Sequence, residues 1–169
     1  MQQSRVASRI DAFSNFTGNA VAWLTLAMVI VTFVVVVLRY AFDIGVVSLQ
    51  ESVIWMHGAV FMLGAAYTLQ REEHVRVDIF YRKVGVRTQA WVDLLGVLLF
   101  LLPFSFFMFY ASYDYVAAAW SIRETSRDAG GLPYPFLPLM KTILLVMPVM
   151  VSLQGVSMLL VAVRCLRSR

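Results

Sequence analysis

The sequence predicts an all-α integral membrane protein, four transmembrane helices with a short interfacial amphipathic helix between the second and third. Three observations lead there. The chain is 60% hydrophobic and 14% charged, with a mean hydropathy of +0.76, so it lacks the polar surface needed to cover a soluble core. Charge is absent from four runs, each long enough to cross a bilayer. The basic residues gather between those runs, which reads as membrane topology rather than as a nucleic-acid face, despite a net charge of +4.

The predicted spans lie at about 17–39, 50–70, 91–113 and 139–163, in a single domain over 1–169 with no internal repeat. Before the first span, Met1 to Asp11 is polar and carries Arg5 and Arg9. The apolar run that follows ends in Arg39-Tyr40 and is too long for a cleavable signal peptide. It reads as a retained first helix, and Gly45 marks the turn after it. The second span organises the rest in this reading, with the other helices gathered around it. From Ser52 to Gln70 its 19 residues carry no formal charge and reach about 28 Å as helix.

A charged hinge follows, Arg71-Glu72-Glu73-His74-Val75-Arg76-Val77-Asp78. Asp78 is placed to cap a short interfacial helix over 79–84, with Ile79, Phe80 and Val84 toward lipid and Arg82 and Lys83 toward phosphates. Pro103 interrupts the hydrogen-bond ladder of the third span and predicts a kink there. Beyond it, Tyr110, Tyr113, Tyr115 and Trp120 form an aromatic belt, and Ala111 to Trp120 stays compatible with a helix projecting past the bilayer. Gly130-Gly131-Leu132-Pro133-Tyr134-Pro135 excludes regular helix and predicts a rigid re-entry turn. The fourth span carries Pro148 as a second kink and ends in Arg164, Arg167 and Arg169.

Four spans put both termini on one side. That side, with the 71–89 loop, holds ten of the 14 Lys/Arg, against Arg39, Arg123, Arg127 and Lys141 opposite. The positive-inside rule therefore predicts cytoplasmic termini.

Chemistry is sparse. The spans hold no Asp, Glu, Lys or Arg at their centres, where each would cost about 2.5–3.5 kcal/mol or more and mark an ion pathway. His57 and His74 are 17 residues apart, about 25 Å along a helix, and cannot clamp one haem within a monomer. Cys165 is the lone cysteine and makes no internal disulfide or four-cysteine metal site. No His/Cys/Asp/Glu cluster has metal-ligand spacing, so neither an enzyme nor a bound cofactor is expected. The second span does carry a stripe. Glu51, Trp55, Gly58, Met62 and Ala65 share one helical face, and the small residues permit close approach of this chain's own helices or of a partner's. In the fourth span Gln154, beside Ser152, Gly155 and Ser157, would be costly against lipid and should face protein.

Arg39-Tyr40, Glu51, Trp55, Gly64-Ala65 and His74-Val75-Arg76-Val77-Asp78, in that order, resemble the small permease subunit (DctQ type) of tripartite ATP-independent periplasmic (TRAP) transporters. The likeness runs from Thr17 to Val163, with the His-Val-x-Val-Asp hinge its most specific part. Glu73 departs from the smaller residue the family often has there. The resemblance implies a bacterial inner-membrane subunit with two partners: a large permease of about a dozen helices, and a periplasmic binding protein that delivers an organic acid for sodium-coupled uptake. The small subunit would act as scaffold among membrane lipids, with Arg39, Glu51, Trp55, Gly58, Met62, Ala65 and Gln154 toward its partner and His74, Arg76 and Asp78 as a cytoplasmic hinge. Two other readings stay open: a haem or quinone anchor that uses His57 with a partner, and a small homodimeric exporter with Glu51 as its coupling acid.

Overall fold

A computed structural model describes residues 5–71 and 84–167. Their regular structure is entirely helical, and four helices are long and apolar enough to cross a membrane: α1 (Arg5–Ala41), α2 (Val47–Gln70), α3 (Val86–Ser121) and α4 (Phe136–Arg167). In a bilayer only backbone that bonds to itself is tolerated, so Val-rich sequence such as Val34 to Val37 is held helical against its usual preference. The expected interfacial helix over 79–84 and the hinge residues His74, Arg76 and Asp78 lie outside the described residues.

The hub is α4, not α2 as the sequence suggested. The α1–α2 and α3–α4 hairpins each pack internally, and α4 also touches both α1 and α2. Its buried positions are Pro138, Ile143, Pro148, Met150, Gln154, Gly155, Ser157 and Ala162, a larger share than any other helix buries. Association in lipid relies on close packing rather than on water exclusion, which favours small residues at the seams. The seam residues follow that rule. On α1 they are Ala7, Ser14, Gly18 and Val21; on α2 they are Ala59, Ala66 and Leu69.

Two glycines mark the closest approaches between helices. A Cβ on Gly18 would overlap the ring of Tyr67 on α2, and one on Gly155 would lie 2.7 Å from Leu101 Cδ2 on α3. The second contact explains a local feature of α3. Pro103 has no N–H to give, and the turn before it, Val97–Leu101, widens to π geometry, with the Leu102 N–H reaching Val97 O. The bulge pushes Val97 and Leu101 against α4 where Gly155 makes room. Pro103 is thus absorbed by a wider turn, and Pro148 sits buried inside α4 without breaking it.

The helices run past the predicted spans. α1 is already helical at Arg5, twelve residues before the predicted first span. α3 continues to Ser121, as its aromatic end suggested. After α1 the left-handed residue is Asp43 (φ 55°) rather than Gly45. The 122–135 connector is free of helix, contains a cis Tyr134–Pro135 bond, and has Gly130 at φ +79°, a conformation glycine adopts without steric cost.

Candidate functional site

Polar side chains gather in two seams at opposite ends of the bundle. At the end where α2 begins, Glu51 holds the connector. Its Oε2 accepts the Leu132 N–H at 2.6 Å, and its Oε1 accepts the Ser126 hydroxyl in a very short contact. Ser126 Oγ in turn accepts the Asp128 N–H at 3.1 Å, and the Ser126 N–H reaches Leu132 O at 3.2 Å. Gly131 lets the carboxylate approach, since a Cβ there would fall 2.7 Å from Glu51 Oε2. One turn on, the Trp55 indole N–H donates to Phe136 O at 3.0 Å. Two side chains of the predicted stripe therefore tie α2 to the connector and to the start of α4.

The same end is braced from α3. Lys141 Nζ pairs with Glu124 Oε2 at 2.5 Å and lies 4.0 Å from the centroid of the Tyr115 ring. The Trp120 indole N–H donates to Thr142 Oγ1 at 2.9 Å, and Trp120 meets Tyr134 edge to face. Trp120 and Tyr115 of the predicted aromatic belt thus fasten α3 to the connector and to the start of α4.

The second seam lies toward the termini. The Ser14 hydroxyl donates to Gln154 Oε1 at 2.8 Å. Gln154 Nε2 and the Ser157 hydroxyl both donate to Asp11 Oδ1, at 3.0 and 2.9 Å. Ser14, Gln154 and Ser157 are each 2% exposed. Gln154, expected at a partner surface, is instead spent inside this chain. Asp11 corrects the sequence reading as well. It was placed in a polar lead-in, yet it lies within α1 and is drawn against the uncharged part of α4, about 10 Å along the axis from Arg164. A carboxyl between two packed helices needs donors, and two side chains of α4 supply them. Nearby, Arg71 stacks on Tyr67 at 5.2 Å and reaches Asn15 Oδ1 at 3.4 Å.

None of the remaining stripe residues is fully buried. Gly58 has nothing within 4 Å of a Cβ built on it, and Gly64 is equally open. Met62 and Ala65 are half-buried, and Arg39 and His57 are exposed. The face that α2 turns inward is Ala59 and Ala66, one position along from Gly58 and Ala65. No group of three His, Cys, Asp or Glu able to hold a metal ion occurs among the described residues.

The comparisons with known proteins agree with this architecture. The family described as "Tripartite ATP-independent periplasmic transporters, DctQ component" matches residues 28–168. The "C4-dicarboxylate TRAP transporter small permease protein DctQ" of Vibrio cholerae serotype O1 (strain ATCC 39315 / El Tor Inaba N16961) is 27% identical over 112 residues, which is 66% of this chain and 47% of the relative. The match thus spans about half the length of that protein. No solved structure matches. With four membrane-crossing helices and a family match over most of its length, the chain belongs to the DctQ component, or small permease, family of TRAP transporters.

Proposed function

We propose that this subunit braces a large permease in the inner membrane and does not itself carry solute. In this reading the large permease performs sodium-coupled uptake of an organic acid delivered by a periplasmic binding protein, and both termini lie in the cytoplasm. The observation that carries the scaffold role is how the polar groups between helices are used. Glu51, Asp11, Gln154 and Lys141 are each engaged in hydrogen bonds to other parts of the same chain. A coupling acid must release its partners to bind and discharge an ion. Glu51 has both oxygens occupied by the connector, which suits a staple better than the coupling acid of an exporter.

Under the same reading, the face of α2 with Gly58, Met62 and Ala65 meets the large permease. Gly58 has no neighbour in this chain to explain its small size. The cargo class is held at organic acid, because C4-dicarboxylate belongs to the name of the Vibrio protein.

Reconstitution tests the proposal. Liposomes containing this chain, the large permease and the binding protein should accumulate solute on a sodium gradient, and liposomes containing this chain alone should not. Sodium-driven uptake by the chain alone would overturn the scaffold role.

A further inference from the structure

On α1, Asn19, Trp23, Leu26, Ile30 and Phe33 follow one another at steps of four, three, four and three, so they form one seam along the helix. All five are exposed. The seam points away from Ser14, Gly18 and Val21, the side that α1 buries against α2 and α4. We propose that this seam seats a helix of the large permease, and that a side chain of that helix hydrogen-bonds Asn19. The proposal rests on reading this chain as a brace for the large permease.

Asn19 sets the requirement. Along α1 it lies ten residues from Arg9 and twenty from Arg39, about 15 and 30 Å. The Ser14–Gln154 and Asp11–Ser157 bonds put it level with about residue 149 of α4. That is roughly 12 Å past Lys141 and 22 Å short of Arg164, within hydrocarbon. One turn away, Asn15 donates to Asp11 O at 2.9 Å and accepts from Arg71 at 3.4 Å, and Arg71 also lies over the Tyr67 ring. Asn19 makes no hydrogen bond among the described residues. Its amide carries two N–H donors and a carbonyl acceptor, and lipid tails can serve neither. Whatever covers this seam must therefore bring a polar group to the level of Asn19.

Size decides which helix that is. Trp23, Leu26, Ile30 and Phe33 are all large, and close approach in lipid needs small residues opposite large ones. A second copy of the same seam would set bulk against bulk. A helix of different sequence fits, with small residues facing Trp23 and Phe33 and a polar one facing Asn19. The large permease supplies helices of other sequence. Because α1 and α2 pack together, one partner can reach both this seam and Gly58.

The test titrates the full chain against the large permease in detergent. Asn19→Leu should weaken binding about three- to fifteenfold, the worth of one interhelical side-chain hydrogen bond in a membrane, and Asn19→Gln should recover part of the loss. Thermal unfolding of the isolated Asn19→Leu chain should match wild type, since no bond within the chain is removed. A photo-crosslinking amino acid at position 26 should capture the large permease in the assembled complex. Unchanged affinity in Asn19→Leu would overturn the seam while leaving the brace intact. So would failure to capture the large permease at position 26, or capture of a second copy of this chain there. Lost stability in the isolated variant would overturn it as well, by making Asn19 part of the fold. If the wild-type chain did not bind the large permease at all, the brace itself would fall.

Discussion

Gly18 is where the first two helices come closest, and its lack of a side chain is what lets Tyr67 sit there. The Tyr67 ring also carries Arg71 on its face at 5.2 Å, so displacing the ring disturbs the end of α2. Gly18→Val should destabilise the chain by about 1–3 kcal/mol, the usual range for overpacking. The check is thermal unfolding in detergent followed by circular dichroism. Glu51→Ala acts differently, because it leaves the helices intact and frees the connector. The Leu132 amide, bonded to Glu51 in the folded chain, should then exchange with deuterium faster, while amides in the middle of α4 keep their protection. These residue roles were only half legible. Glu51 and Trp55 stood out because polar side chains at the edge of an apolar run need partners. Gly18 did not, because a glycine in an apolar helix looks the same whether a ring lies over it or nothing does. Gly58, which did stand out, proves to be the open one.

The helices themselves were legible from charge-free length, since lipid leaves the backbone no alternative to helix. Their ends were not, because hydropathy stops at the first charge while the hydrogen-bond ladder continues through it. α1 runs through Asp11 and Arg9 for this reason, with α4 supplying the donors that Asp11 needs. The end of α3 shows how a stop is set locally. The Arg123 N–H bonds Trp120 O and the Glu124 N–H bonds Ala119 O, while Arg123 itself is left-handed at φ 50°. That is a Schellman closure with arginine in the place usually taken by glycine. A side chain in that conformation costs roughly 1–2 kcal/mol. Arg123→Gly should therefore raise stability by about 1 kcal/mol, read as a higher unfolding temperature.

At the scale of the whole molecule, the lateral order of the helices was invisible in the sequence. Membrane helices are apolar on every side, so no periodicity says which face is inward, and α2 with its stripe looked like the centre. The structure gives that place to α4, whose Gly155 and Ser157 seat α3 and α1. The register has a consequence for how the bundle sits in a bilayer. The Trp55–Phe136 bond sets Trp55, eight residues into α2, level with the start of α4, and at equal rise Arg71 then lies near the level of residue 152 on α4. The uncharged part of α4 continues to Val163, so one flat slab does not match both helices unless the bundle tilts. Gly58 on α2 is where a substitution separates assembly from folding. Gly58→Leu adds bulk where nothing lies within 4 Å of the new Cβ, so the isolated chain should unfold within about 0.5 kcal/mol of wild type, as surface substitutions do. If the large permease packs there, its helix cannot approach a leucine as it approaches a glycine, and co-purification should fall sharply. Retained co-purification with unchanged stability would move the interface to another face. Lost stability in the isolated chain would show instead that Gly58 serves this chain's own packing.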